Sequence, residues 1–108
     1  MATEWLVAAC TRQAAAEGIP ITLLRRGDPV SGALVLKVNR LDGTAHLWIE
    51  AQEDGTRVWL CPTATPSVSD RAADIWLARQ EEIDPDAWLI EIEDKQGRLW
   101  FPGHVVIG

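Results

Sequence analysis

The chain has 108 residues, enough for one domain that buries most of its apolar side chains without a disulfide or a metal. Its apolar share of 47% and charged share of 24% are those of an ordinary globule, and no stretch approaches the apolar length of a membrane span. A formal net charge of −6 argues against general nucleic-acid binding.

The charge is uneven. Residues 1–41 hold five basic and three acidic side chains, whereas residues 42–108 hold five basic and thirteen acidic ones. The N-terminus lacks the basic region of a signal peptide, and Cys10 and Cys61 stand apart with no Cys-x-x-Cys partner. The expectation is a cytoplasmic protein with two reduced thiols, no disulfide, no metal site and no cofactor.

In chain order, Thr3 is placed to cap an Ala-rich helix over roughly residues 4–17, with Trp5, Leu6, Ala9 and Cys10 as its apolar stripe. Gly18 and Pro20 end it. Ile21 to Arg26 alternates as a first strand, and Arg25-Arg26-Gly27-Asp28-Pro29 makes a loop. Arg26-Gly27-Asp28 matches the integrin tripeptide only by chance. The glycine spacing from Gly27 to Gly32 lacks the Lys-Ser/Thr of a phosphate-binding loop, since Ala33 and Leu34 follow.

Gly32 to Pro62 carries the strongest signal. Alternating runs are separated by Asp42-Gly43 and Asp54-Gly55, the dipeptides favoured in two-residue hairpin turns. Such turns pair Val38 with Leu47, Leu36 with Ile49 and Leu34 with Ala51, then Ile49 with Leu60 and Ala51 with Val58. On the opposite face this register sets Lys37 beside Trp48, Val35 beside Glu50 and Asn39 beside His46, with Trp59 and Cys61 joining them. A face holding two Trp needs a cover: a helix of this chain, or a partner.

Pro62 to Pro66 is a linker. Ser67 or Ser69 caps a second helix ending near Glu82, with Val68, Ala72, Ile75, Trp76, Arg79 and Ile83 on its apolar face. Ala87 to Glu93 forms a further strand whose two glutamates mark an edge or solvated surface. Arg98 to Phe101 returns as a short strand, and 102–108 is a tail. The expected architecture is α+β: a mainly antiparallel sheet, built as a four-stranded meander, then a helix, then one or two further strands. An N-terminal helix and the second helix pack on this sheet, one on each face. The whole of 1–108 is a single domain with its core at about 4–101.

No catalytic constellation is visible. His46 and His104 are isolated, none of Ser31, Ser67 and Ser69 sits in a nucleophile elbow, and the carboxylates Asp84, Asp86, Glu91 and Glu93 flank a turn or alternate on a strand. The segments Leu24 to Pro29, Gly32 to Gly43 and Asp84 to Asp94 resemble, in order, a small alphaproteobacterial family known as domain of unknown function 1491. That resemblance spans roughly residues 4–101. It implies a compact bacterial cytosolic domain and brings no activity, cofactor or catalytic residue.

Two functions follow from the residues. The first is a non-catalytic binding or adaptor module, as a monomer or homodimer, that engages a protein through the face around Trp48 and Trp59 or through a sheet edge; membranes and nucleic acid are not expected partners. The alternative is a small-anion or metabolite site, or an unrecognised enzyme, using Arg25, Arg26, Asp28, Lys37 and Asn39, since adjacent guanidinium groups suit carboxylate or phosphate.

Overall fold

A computed structural model describes residues 1–106. The elements are α1 (Thr3–Ala16), β1 (Ile21–Arg25), β2 (Leu34–Asn39), β3 (Thr44–Glu53), β4 (Thr56–Leu60), β5 (Val68–Ser69), α2 (Asp70–Ile83), β6 (Trp88–Glu93) and β7 (His104–Val106). The class is α+β, with the order β1-β6-β2-β3-β4-β7 and β5 paired to β3.

The sheet is mixed, not mainly antiparallel. β6 inserts between β1 and β2, antiparallel to β1 and parallel to β2, so the meander has three strands, not four. The glutamates of β6 therefore mark no edge. Val-Leu-Lys-Val and Trp-Leu-Ile-Glu-Ile are buried at nearly every position, as parallel neighbours inside a sheet must be. The segment expected as a tail supplies β7, parallel to β4. Ile107 and Gly108, the rest of that tail, lie outside the described residues. Residues 98–101 are irregular, not a strand.

The second hairpin has the expected register, with Ile49 opposite Leu60 and Ala51 opposite Val58. Asp54 and Gly55 both take positive φ, +51° and +78°, as a two-residue turn requires. The first hairpin is one residue out of the expected register: Val38 faces His46, Leu36 faces Trp48 and Lys37 faces Leu47. Arg40 N donates to Thr44 O at 3.0 Å, leaving three loop residues. Two side chains stabilise the extra residue: Asn39 Oδ1 accepts from Leu41 N at 2.8 Å and Asp42 Oδ1 accepts from Thr44 N at 2.9 Å.

Gly43 sits at φ +89° in this loop. Gly43→Val is expected to destabilise the protein by about 1 kcal/mol or more, because a β-branched residue resists that conformation. A denaturant midpoint equal to that of the unchanged protein would contradict it.

The slip decides what lies on each face. One face carries Leu34, Leu36, Val38, Trp59, Trp88, Ile90 and Ile92, and α1 covers it with Val7 and Cys10. The other carries Val35, Ala45, Leu47 and Leu89 beneath Ala73 and Leu77 of α2. One helix thus packs on each face, as expected. Val35 belongs with α2, not with Trp48.

Both helices are rotated from their expected faces. In α1, Val7, Cys10 and Ala14 are buried while Trp5 is 67% exposed. In α2, Ile75 and Ile83 face solvent. Thr3 does not cap α1; its hydroxyl donates to Gly32 O at 3.0 Å, tying the helix start to the loop before β2. Ser69 does cap α2, accepting from Ala72 N at 3.0 Å. At the end of α1, Gly18 N and Ile19 N donate to Ala15 O and Ala14 O, the paired bonds of a glycine-terminated helix.

Candidate protein-docking site

The residues singled out from sequence fall into three separate places. Arg25 spends its guanidinium on backbone: it donates to Glu81 O, Asp84 O and Ala87 O at 2.8, 2.6 and 2.7 Å, so it closes the C-terminal end of α2. Arg26 pairs with Glu4 at 2.6 Å and lies 5.0 Å over the Trp88 ring. Asp28 Oδ1 accepts from Val30 N and Ser31 N at 3.0 and 2.9 Å, which holds its carboxyl below the usual range. The Asp28 carbonyl takes the Trp88 indole N–H at 2.7 Å. A Cβ on Gly32 would meet Trp88 Cδ1 at 2.8 Å, so the loop from Gly27 to Gly32 is packed flat on Trp88. These groups build a loop; they do not leave two free guanidinium groups for an anion.

Lys37 and Asn39 lie on the α2 side of the sheet. Lys37 is 2% exposed and its ammonium pairs with Asp70, with Asp74 at 2.6 Å and with Glu91 at 3.1 Å. Burial opposes the charged amine, but hydrogen bonds to the three carboxylates outweigh it and raise the pKa above its ordinary value. Asn39 Nδ2 donates to Glu91 Oε2 at 3.1 Å. The expected Lys37–Trp48 contact is absent because the register slip puts the two on opposite faces.

Trp48 and Trp59 lie on the α1 side. Trp59 is fully buried and donates to Pro102 O at 3.0 Å, with Phe101 edge-on at 6.2 Å. Trp48 is half-buried and meets His46 edge-on at 6.4 Å. Burial, then Arg40, keeps the His46 imidazole below its ordinary pKa, so it is neutral at pH 7. Among the described residues no group of three or more His, Cys, Asp and Glu is placed to hold a metal, and no helix is long and apolar enough to cross a membrane.

The surface best formed for a partner is a sheet edge, whose strand and neighbouring groove sequence reasoning did not specify. Among the described residues β1 is an edge strand, paired only to β6, and its Leu23 and Leu24 are 46% and 45% exposed. Beside it runs a groove of about 340 Å³ lined by Val7, Ala8, Thr11, Arg12, Ala15, Ile21, Leu23 and Ile90. Ala8 and Ala15 leave it open where larger residues would fill it. Trp5 continues the surface in a second hollow with Glu4, Ala8 and Arg26. A larger depression, about 440 Å³, lies over the loops around Gly18, Leu41 and Lys95, but its lining mixes both charges and presents no strand edge. The missed signal was the unexplained outer side of α1: once Val7, Cys10 and Ala14 point inward, Trp5, Ala8 and Arg12 are left outward.

No curated protein matches the chain. Among solved structures, the crystal structure of a DUF1491 family protein from Caulobacter crescentus CB15 is 38% identical, with a TM-score of 0.87, over 98% of this chain and 99% of that one. An NMR structure of a DUF1491 family protein from the same organism gives 38% identity and a TM-score of 0.84, over 99% and 97%. Protein Atu0922 from A. tumefaciens, at 24% identity and a TM-score of 0.69 over 84% and 83%, shares the fold. Residues 1–102 match the family described as "Protein of unknown function (DUF1491)", and the chain belongs to that family.

Proposed function

We propose that this protein is a non-catalytic docking module that takes an extended segment of a protein partner at the β1 edge. Strand addition uses the free backbone groups of an edge for affinity, and a neighbouring groove for alternate side chains. The observation that carries the reading is the pairing of an apolar, exposed edge strand with an open groove against α1. Natural edges of this kind are usually blunted by a lysine, a proline or a bulge within the strand. Here a register shift does lie within β1, between Leu23 and Arg25, and Pro20 precedes the strand, so the stretch open to strand addition is Ile21 to Leu23.

The sheet face around Trp48 and Trp59, the other surface considered for a partner, is taken by α1 and the segment through Phe101. Two free cysteines, one buried and one half-buried, support a reducing compartment such as the cytoplasm.

A random twelve-residue peptide library selected on the immobilised protein tests the reading. Selected peptides are expected to shift the amide resonances of residues 21–25. They are also expected to bind Ala8→Arg, an exposed helix position where the new side chain fills the groove, at least about tenfold more weakly. Peptides that map elsewhere, or that bind Ala8→Arg equally well, would remove the β1 site.

A further inference from the structure

The groove is apolar except at one point. Arg12 is the only charged residue in its lining, and its guanidinium forms no ion pair among the described residues. The cation at the far end, Arg26, is already closed by Glu4.

The direction of α1 against β1 is fixed at both ends. Four residues, 17–20, join the end of α1 to the start of β1, and Arg26, just past β1, reaches back to Glu4 in the first turn of α1. The helix therefore runs antiparallel to the strand. Val7 and Ala8 lie toward the Leu23 end of the groove, Ala15 toward the Ile21 end, and Thr11 and Arg12 between them.

A strand laid beside β1 turns every second side chain toward the groove, at a spacing of roughly 6.6 Å. The helix rises about 1.5 Å per residue, so the four residues from Ala8 to Arg12 span about 6 Å. The two spacings match. An inward side chain seated over Ala8 has its next inward neighbour opposite Arg12.

Resting on the strand-addition reading above, we infer that the partner segment carries an aliphatic residue and, two positions away, a carboxylate. The aliphatic side chain packs on Val7, Ala8 and Leu23. The carboxylate pairs with the Arg12 guanidinium, with the Thr11 hydroxyl beside it as a donor. A basic residue at that second position would meet an unpaired cation and is selected against.

The probes are fluorescein-labelled octapeptides of threonine with one leucine and one glutamate two positions apart, made in both orders. Their Glu→Gln and Glu→Lys counterparts are the controls. Binding is read by anisotropy and mapped by amide shifts of residues 21–25.

In at least one order, the glutamate peptide is expected to bind about fivefold tighter than the glutamine peptide, with lysine weakest, the scale of one charge-assisted contact at a partly exposed site. The preference is expected to vanish in Arg12→Gln, an exposed helix position, and to shrink as salt rises from about 50 to 300 mM. Equal binding of the glutamate and glutamine peptides, with shifts still at β1, overturns the carboxylate and leaves the docking edge standing. A preference that survives Arg12→Gln removes Arg12 from the role. If no peptide shifts residues 21–25, the strand-addition site fails and the carboxylate inference fails with it.

Discussion

Lys37→Met is expected to lower stability by about 2 kcal/mol at pH 7. The substitution keeps the length of the side chain and removes the charge. Asp70, Asp74 and Glu91 then face one another with nothing between them. Removing one partner of a buried ion pair costs roughly 3–5 kcal/mol. The figure is lower here because Asp70 and Asp74 are 45% and 60% exposed and water screens them; most of the cost falls on Glu91, at 19%. The same change frees the first turn of α2, which Lys37 ties to β2. Urea unfolding checks it, and a midpoint within error of the unchanged protein would refute it.

The pH dependence has a definite sign. Because the folded pKa of Lys37 is raised above 10.5, its contribution is complete below that value and is lost as pH rises above it, through the folded value. The stability gap between the unchanged protein and Lys37→Met is therefore constant from about pH 7 to 9 and narrows above about pH 10.5. A gap that is flat to pH 11.5 would contradict the linkage.

What could be read from sequence, and what could not, follows from the burial of β2 and β6. The hairpin at Asp54-Gly55 was legible because that dipeptide makes a two-residue turn, with both residues at positive φ, and such a turn sets Val58 opposite Ala51. β2 does not alternate: Leu34, Val35, Leu36, Lys37 and Val38 are all buried, on two faces. Its pattern fits either register, and the choice passed to Asn39 and Asp42, whose side chains stabilise a loop one residue longer. That choice moved Lys37 from beside Trp48 to beneath α2.

Parallel pairing of β6 with β2 was hidden for a related reason. Glu91 looked like a solvated residue because its partners, Lys37 and Asn39, come from a strand fifty residues earlier. The docking edge was hidden more deeply. β1 is outermost in a four-stranded meander too, but the groove beside it depends on Ile90 of β6 and on α1 turning Val7, Cys10 and Ala14 inward, and neither was visible in the sequence. Of the candidate residues, Arg25 ends β1 and Arg26 opens the loop that follows it. Their charge is spent on the end of α2 and on Glu4, which composition alone could not reveal.

Asp94→Ala is expected to cost about 3 kcal/mol, the largest effect of a single truncation in the segment that closes the Trp59 end of the core. Asp94 is 1% exposed. Its Oδ1 accepts from Gln96 N, and its Oδ2 accepts from Arg98 Nε and Trp100 Nε1, all at 2.8 Å. These bonds fold residues 95–101 back so that Leu99, Trp100 and Phe101 pack on the α1 side of the sheet. Each hydrogen bond to a charged acceptor is worth roughly 1.5–3 kcal/mol, and truncation leaves the indole N–H and the guanidinium without their acceptor.

Asp94→Asn separates charge from shape: it retains one acceptor oxygen and should cost about half as much. Burial favours the neutral acid, but the bonds from Trp100, Arg98 and Gln96 outweigh it and hold the carboxyl below 3.8. The contribution is thus complete above that value and is lost as pH falls below it, through the depressed folded value. Urea unfolding followed by tryptophan fluorescence should show the gap between the unchanged protein and Asp94→Asn steady from pH 7 to about 4.5 and closing toward pH 2.5. Should Asp94→Ala unfold at the same urea concentration as the unchanged protein, the three bonds do not hold the 95–101 segment in place, and the packing of Leu99, Trp100 and Phe101 must do so alone.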